Sequence, residues 1–272
     1  VSIALRTVYG WELRKLIAQK RTYLGLFAAM IVPIIFVIAL AVQSGQPEDI
    51  AFGRYVRQSG LAIPPVILIF GSYWLFPLIT ALVSGDIVAA EDHNGTLKTI
   101  LTRSVGRGRI FVAKTLAAFT YALVALIAMG VTATGAGVIK SGFHPLVTLS
   151  GTTVSSGRAL ALIAASLAVY LLPLIAVASI ALLLSTVTHN SAAAVVGALM
   201  ISLLLQLVTI IPGLGALHPY LLPTQFNAWQ GFLRTPVDYA PVVRAAWVCA
   251  LYVIPCLGIA FLSFLRRDVT GG

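Results

Sequence analysis

Two runs decide the fold: Ala159–Thr188, ALALIAASLAVYLLPLIAVASIALLLSTVT, and Ser191–Leu217, SAAAVVGALMISLLLQLVTIIPGLGAL. Neither contains Asp, Glu, Lys or Arg, and only His189 and Asn190 stand between them. A membrane-crossing helix needs about 20 apolar residues. The two runs together are too long for one crossing, and the polar stretch Thr186–Asn190 marks a tight turn between two. Strands of a transmembrane barrel alternate apolar and polar residues over about ten positions, and these runs do not alternate.

Outward from this pair, charge-free windows recur at Leu24–Val42, Leu61–Val83, Thr115–Ile139 and Ala245–Leu265. The chain of 272 residues is 59% hydrophobic and only 10% charged, whereas soluble domains are nearer half apolar and a quarter charged. So few charges cannot keep the surface of a soluble domain wet, which excludes a soluble enzyme, a disordered chain and a fibre. Ala39-Leu40-Ala41 resembles a signal cleavage site. Its basic lead-in is long for a signal peptide and five more windows follow, so Leu24–Val42 is read as a span. The expected fold is an all-α integral membrane protein with six transmembrane helices, a single domain over residues 1–272. Cys249 and Cys256 sit seven apart on the last helix, about 10 Å at 1.5 Å per residue, beyond disulfide reach.

The net charge of +10 has to be located before it is interpreted. Six spans put both termini on one side. That side carries Arg6, Arg14, Lys15, Lys20 and Arg21, then Lys98, Arg103, Arg107, Arg109 and Lys114, then Arg266 and Arg267. The other side carries Arg54, Arg57, Lys140, Arg158, Arg234 and Arg244. The positive-inside rule puts both termini in the cytoplasm. The basic balance then reads as topology, and a nucleic-acid partner is not expected.

Residues 1–22 form a candidate interfacial helix, with Leu5, Val8, Tyr9, Leu13 and Leu16 on one face. Glu12 projects onto that apolar side. Either it pairs with Lys15 or Lys20, or it faces another element carrying positive charge. Pro33, Pro64, Pro65, Pro77, Pro173 and Pro255 fall in the spans, where interior prolines kink helices. Small pairs such as Gly25 with Ala29, and Ala193 with Gly197, permit close helix contact.

No ionisable residue lies in the middle of a span, which argues against a proton-coupled carrier. His93, His144, His189 and His218 show no metal-ligand spacing. Ser84-Gly85-Asp86 has no second intramembrane Asp to share a proton. Gly108–Thr115 is one residue away from a phosphate-binding loop, but it lacks the second Gly and enters a membrane helix rather than joining a strand to one.

The loop 84–109 carries most of the signal. Its first part continues the second span, Asn94-Gly95 breaks it, and a short helix begins near Thr96 with Leu97, Ile100 and Leu101 on one face. Such a helix docks into a groove by its apolar face; otherwise the loop is a solvated basic segment that only sets topology. The longest loop on the other side, 212–243, mixes prolines with Tyr220, Phe226, Trp229 and Phe232, which suggests short interfacial or re-entrant helices.

Glu91, then Gly95-Thr96-Leu97, then Leu101 and Arg103, then Arg107 and Lys114 together resemble the signature of ABC-2 type permeases. That signature runs roughly Glu-x-x-x-Gly-Thr-Leu, then Leu-Thr-x-Pro and a Ser-Arg step before a Lys. Ser104 stands where Pro is common and Gly106 where Ser is common. Glu12-Leu13-Arg14-Lys15 is similar to the family's N-terminal elbow-helix pattern. The resemblance implies the transmembrane subunit of an ATP-binding-cassette exporter in a prokaryotic cytoplasmic membrane. Two such chains, expected as a homodimer, would sit on two copies of a separate ATPase. That partner would bind ATP and Mg, with no cofactor and no enzymatic activity in this chain.

The resemblance further implies that the elbow helix, 1–22, and a cytoplasmic coupling helix in 84–109 meet the ATPase. This nominates Glu12, Lys15, Glu91, Gly95, Thr96, Leu97, Lys98, Leu101, Arg103 and Arg107, with Glu91 anchored by Lys98 or Arg103. Helices two and five would line the substrate path, which nominates Tyr73, Trp74, Phe76, Gln206 and Thr209. An apolar path suits a lipophilic or amphipathic substrate. The alternative is an ATP-independent transporter or channel; an intramembrane enzyme lacks its catalytic pairs.

Overall fold

The computed structural model describes residues 4–42, 52–95 and 105–266. Helix α1, Leu5–Ala18, ends at Gln19, whose extended backbone (φ −90°, ψ 130°) separates it from α2, Lys20–Val42. In α1 the buried line is Val8, Glu12 and Leu16, four residues apart. It is narrower than the face drawn from the sequence, because Leu5 is exposed and Glu12 lies at the centre of the line. The line packs against α6, Arg107–Ser141.

The second window is not one continuous helix. It divides into α3, Ile63–Gly71, and α4, Leu75–Ser84, with a bend of 64° between the two helical segments. Pro77 supplies the reason. In an unbroken helix its ring would clash with the carbonyl of Tyr73 four residues back. Restarting at Leu75 puts Pro77 in the first turn, where the missing N–H has no partner to lose. Pro64 and Pro65 likewise open α3, so only Pro33, Pro173 and Pro255 lie inside described helices. A Cβ on Gly71 would lie 2.6 Å from the Phe76 ring, so the bend closes only over glycine.

Helix α5, Ala89–His93, is a short extension beyond the bent pair. Helices α6 and α7, Ser156–Thr188, are 35 and 33 residues long. At 1.5 Å per residue each is about 50 Å long, longer than the roughly 30 Å hydrocarbon core, so both reach into the end regions of the bundle. The turn between α7 and α8, Ser191–Val208, is as the sequence suggests: His189 is left-handed (φ 55°) and Asn190 accepts from the Ala193 N–H. The fifth window was expected to run to Leu217, but α8 stops at Val208. Pro212 cannot donate to the Val208 carbonyl, and Gly213 and Gly215 follow. Helix α9, Leu222–Gln225, and α10, Ala240–Leu265, complete the order. Strands β1, Leu146–Val147, and β2, Thr153–Val154, make an antiparallel pair.

Five described helices, α2, α6, α7, α8 and α10, are long and apolar enough to cross a membrane, or six if the bent pair counts as one broken span. The protein is an all-α membrane protein. Helix α7 is the hub, packed by α4, α6, α8 and α10. Its Tyr170 is fully buried, donates to the Leu68 carbonyl at 3.1 Å and meets Phe76 and Phe226 edge-on. Helix α2 reaches α6 through Thr22, Gly25 and Ala29, and a Cβ on Gly25 would sit 2.0 Å from the Tyr121 hydroxyl. Gly25 of the Gly25/Ala29 pair thus makes a close contact; of Ala193/Gly197 only Gly197 does, since a Cβ there would lie 3.0 Å from Leu184 of α7, while Ala193 is exposed and Ala194 and Ala198 are the buried pair.

The end of the bundle far from the N-terminus is closed by its connections. The Gly60 N–H donates to the Gly142 carbonyl at 3.0 Å, and a Cβ on Gly60 would lie 2.3 Å from the Gly137 backbone. The β1–β2 turn is tied to the 212–243 segment by Leu149 N–H to the Leu233 carbonyl, 2.9 Å, and Thr235 N–H to Ser150 Oγ, 2.9 Å. Trp229 is buried there, stacked on Phe52.

Candidate functional site

At the N-terminal end four charged side chains from three elements close into a ring. Glu12 and Lys15 come from α1, Glu91 from α5 and Lys114 from α6. Lys15 Nζ lies 2.8 Å from Glu12 Oε1 and 2.8 Å from Glu91 Oε1. Lys114 Nζ lies 2.9 Å from Glu12 Oε2 and 2.7 Å from Glu91 Oε2. Each acid thus sits between two amines and each amine between two acids, with no net charge. The Lys114 side chain is 0% exposed. Its third proton has the Ile87 carbonyl at 3.1 Å, so all three donors of the ammonium have an oxygen in reach.

The ring explains two features of the chain. Glu12 sits on the apolar side of α1 because two amines wait there. Of the partners weighed from the sequence it takes Lys15, and the facing positive element is α6. Lys114 enters an otherwise apolar run because it completes the ring; it is a helix-interior residue, so Gly108–Thr115 is not a phosphate loop. Desolvating an ion costs several kcal/mol, which is tolerable only with this complete pairing. Burial acts most strongly on Lys15 and lowers its pKa, yet hydrogen bonds and charge from Glu12 and Glu91 outweigh it and hold the ammonium above its ordinary 10.5.

Neighbouring contacts anchor the same segment from its other sides. Asp86 pairs with Arg21 of α2 and accepts from Ser191 at the start of α8. Asp92 meets His189, in the α7–α8 turn, at 2.5 Å. Ser185 of α7 accepts from the N–H groups of Val88 and Ala89 at 3.3 and 3.0 Å, and so supplies the N-terminal cap that α5 lacks in its own sequence. Gly95 then turns the chain in the left-handed region, φ 67°. On the far side of the loop, Arg107 Nη1 donates to the Leu265 carbonyl at 2.9 Å, tying the start of α6 to the end of α10.

Of the nominated coupling residues, Glu12, Lys15 and Glu91 come together, Gly95 is the turn, and Arg107 stands apart at α10. Thr96, Leu97, Lys98, Leu101 and Arg103, with the expected coupling helix, lie outside the described residues. Among the described residues Glu91 is partnered by Lys15 and Lys114; the expected partners Lys98 and Arg103 lie outside the described residues. Lys114 was missed as a member, because with Arg107 and Arg109 just before it the sequence places it equally well at the end of a basic loop. Arg21, Asp86, Asp92 and His189 carried no comparable signal.

The nominated path residues do not share one setting. Tyr73 and Trp74 are exposed at the bend, whereas Phe76 is buried against Tyr170. Gln206 and Thr209 are half-buried at the end of α8, where Thr209 Oγ1 donates to the Gln206 carbonyl at 2.6 Å. Among the described residues no three His, Cys, Asp or Glu side chains gather as a metal site would require.

No curated protein sequence matches the chain. The profile of a family described as ABC-2 family transporter protein matches residues 10–206. The match takes in the whole charge ring, the bent pair and the hub helix, and ends in α8. Permeases of this family are a membrane transport component, usually work with an ATPase subunit and are not themselves that ATPase. With well over half of its length matched, this chain belongs to the ABC-2 transporter family.

Proposed function

We propose that the chain is the permease subunit of a heteromeric ATP-binding-cassette exporter, moving a lipophilic or amphipathic substrate outward across a prokaryotic cytoplasmic membrane. Two copies form the pathway and two separate ATPase subunits bind beneath them, holding ATP and Mg. Both termini face the cytoplasm, in keeping with the twelve basic residues on that side. The ATPase meets α1 and the segment 96–104.

The observation that supports this reading best is the charge ring. It joins α1, the base of the 96–104 segment and α6 into one body, so a push on either docking element is delivered to a long spanning helix. Spans with no ionisable residue at their centre leave the driving force to come from outside the chain. Alternating access then follows from the two coupling regions approaching and separating as ATP binds and is hydrolysed.

Co-purification tests the division of labour. A soluble ATPase is expected to copurify with the chain and to be lost from Leu97→Asp/Leu101→Asp, while the chain alone shows no ATP hydrolysis. Undiminished substrate movement in vesicles holding only this chain, without ATP, would refute the proposal in favour of an ATP-independent carrier.

A further inference from the structure

At the end of the bundle far from the N-terminus, a half-open pocket of about 210 Å³ lies between the segment 224–234 and the first turn of α10. Arg234 and Arg244 line it together with Asn227 and Gln230. Among the described residues neither arginine has an acidic partner. The adjacent carboxylate, Asp238, is occupied as a cap: its Oδ1 accepts from the Ala240 N–H at 3.0 Å and it does not line the pocket. Asn227 Oδ1 accepts from Gln230 Nε2 at 3.2 Å, which leaves the Asn227 amide nitrogen as a donor. Two unpaired guanidinium groups beside an amide donor form a site for a phosphate-sized anion. A drug-sized ligand needs roughly 300 Å³ or more, so the pocket suits a headgroup and not a bulky molecule.

What lies below the pocket selects the kind of anion. Arg244 heads a line of exposed residues on α10 that continues through Trp247, Leu251 and Ile254, at helical spacings of three and four. Trp247 contacts Tyr220, ring centroids 5.7 Å apart, and Tyr239 is exposed nearby. Exposed Trp and Tyr beside an apolar helix face mark headgroup depth. We infer that Arg234 and Arg244 bind the phosphate of an anionic phospholipid whose acyl chain lies along the Trp247–Leu251–Ile254 face of α10. The inference is independent of the proposed transport role; it needs only that α10 crosses the membrane.

The test uses the full chain in phosphatidylcholine vesicles containing brominated lipid, with tryptophan quenching as the readout. Brominated phosphatidylglycerol is expected to quench more than brominated phosphatidylcholine at equal mole fraction. That preference falls about fivefold for each arginine removed in Arg234→Gln/Arg244→Gln and survives in Arg234→Lys/Arg244→Lys, which keeps the charge and controls for folding. Equal quenching by the two lipids, or a preference unchanged in the Gln variant, overturns the site. Loss of the preference on adding inorganic phosphate overturns the lipid assignment, since the pocket would then take a soluble anion.

Discussion

Replacing Lys114 by methionine removes one charge from the ring and little volume, so packing is preserved while the pairing is not. Glu12, 3% exposed, and Glu91 are then left to share Lys15, whose side chain is 41% exposed. One buried carboxylate is in surplus. Breaking a buried pair by deleting one partner costs about 3–5 kcal/mol, and about 2–4 °C of Tm accompanies each kcal/mol at this chain size. The expected fall in Tm, read by thermal unfolding of the detergent-solubilised protein, is therefore roughly 6 °C or more. Glu12→Gln on the same background restores neutrality, leaving Glu91 with Lys15, and recovers most of the loss. A surplus buried carboxylate has its pKa raised above the unfolded value, so its destabilisation is present at high pH and relieved as pH falls. Lys114→Met is accordingly closer to the parent at about pH 5 than at about pH 8. A Lys114→Met protein as stable as the parent, or a double variant losing the sum of the two single losses, would show that the four charges are not coupled and that α1 is not locked to α6 through them.

Gly25→Ala places a methyl 2.0 Å from the Tyr121 hydroxyl, and a Tm lower by about 1–3 kcal/mol equivalent is expected; Tyr121→Phe on that background removes the clashing atom and restores it. Gly60→Ala meets the Gly137 backbone at 2.3 Å, where no side chain can swing away, so no single substitution at a neighbour rescues it in the same assay. Gly10→Ala meets nothing within 4 Å and should leave Tm level or higher, as it raises helix propensity. Ser185→Ala strips the cap from Val88 and Ala89, costing about 1 kcal/mol and speeding amide exchange in α5 as seen by hydrogen–deuterium mass spectrometry.

The spans were legible because hydrophobicity over about 20 residues is a coarse property that survives any packing. What sequence could not settle was where a span breaks. Pro33, Pro173 and Pro255 stay inside helices while Pro77 sits in the first turn of a helix that restarts after a break, and the difference lies in the company each keeps. At the break that precedes Pro77, the Leu68 carbonyl accepts from both the Ser72 N–H and the Tyr170 hydroxyl of the hub helix, the latter 102 residues away, and Gly71 admits the Phe76 ring. The charge ring was half legible for the same reason. Glu12 was out of place on its own helix, which could be read locally, and so pointed to a positive partner. Lys114 is out of place only once α6 is known to begin at Arg107, because from sequence alone it belongs equally to a basic loop.

The distribution of polar contacts along the bundle then has a mechanical consequence. Between its ends the helices touch mainly through small and apolar side chains, such as Gly25 of α2 against Tyr121 of α6, with single hydroxyl-to-carbonyl bonds from Tyr121 to Thr22 and from Tyr170 to Leu68, so shape sets most of the register there. At the N-terminal end the register is fixed by charge: α1 to α6 by the ring, α2 to the α4–α5 connection by Arg21 and Asp86, and the α7–α8 turn to α5 by His189 and Asp92. Apolar residues of similar volume would often hold such a site with equal stability, so stability alone does not account for seven of these ionisable side chains and His189 being drawn to one end. A neutral ring of four ions tolerates rigid-body motion of the group as a whole and penalises separation of any one member. That is the behaviour the proposed coupling to an ATPase asks of a segment through which a force applied outside the membrane would reach helices within it.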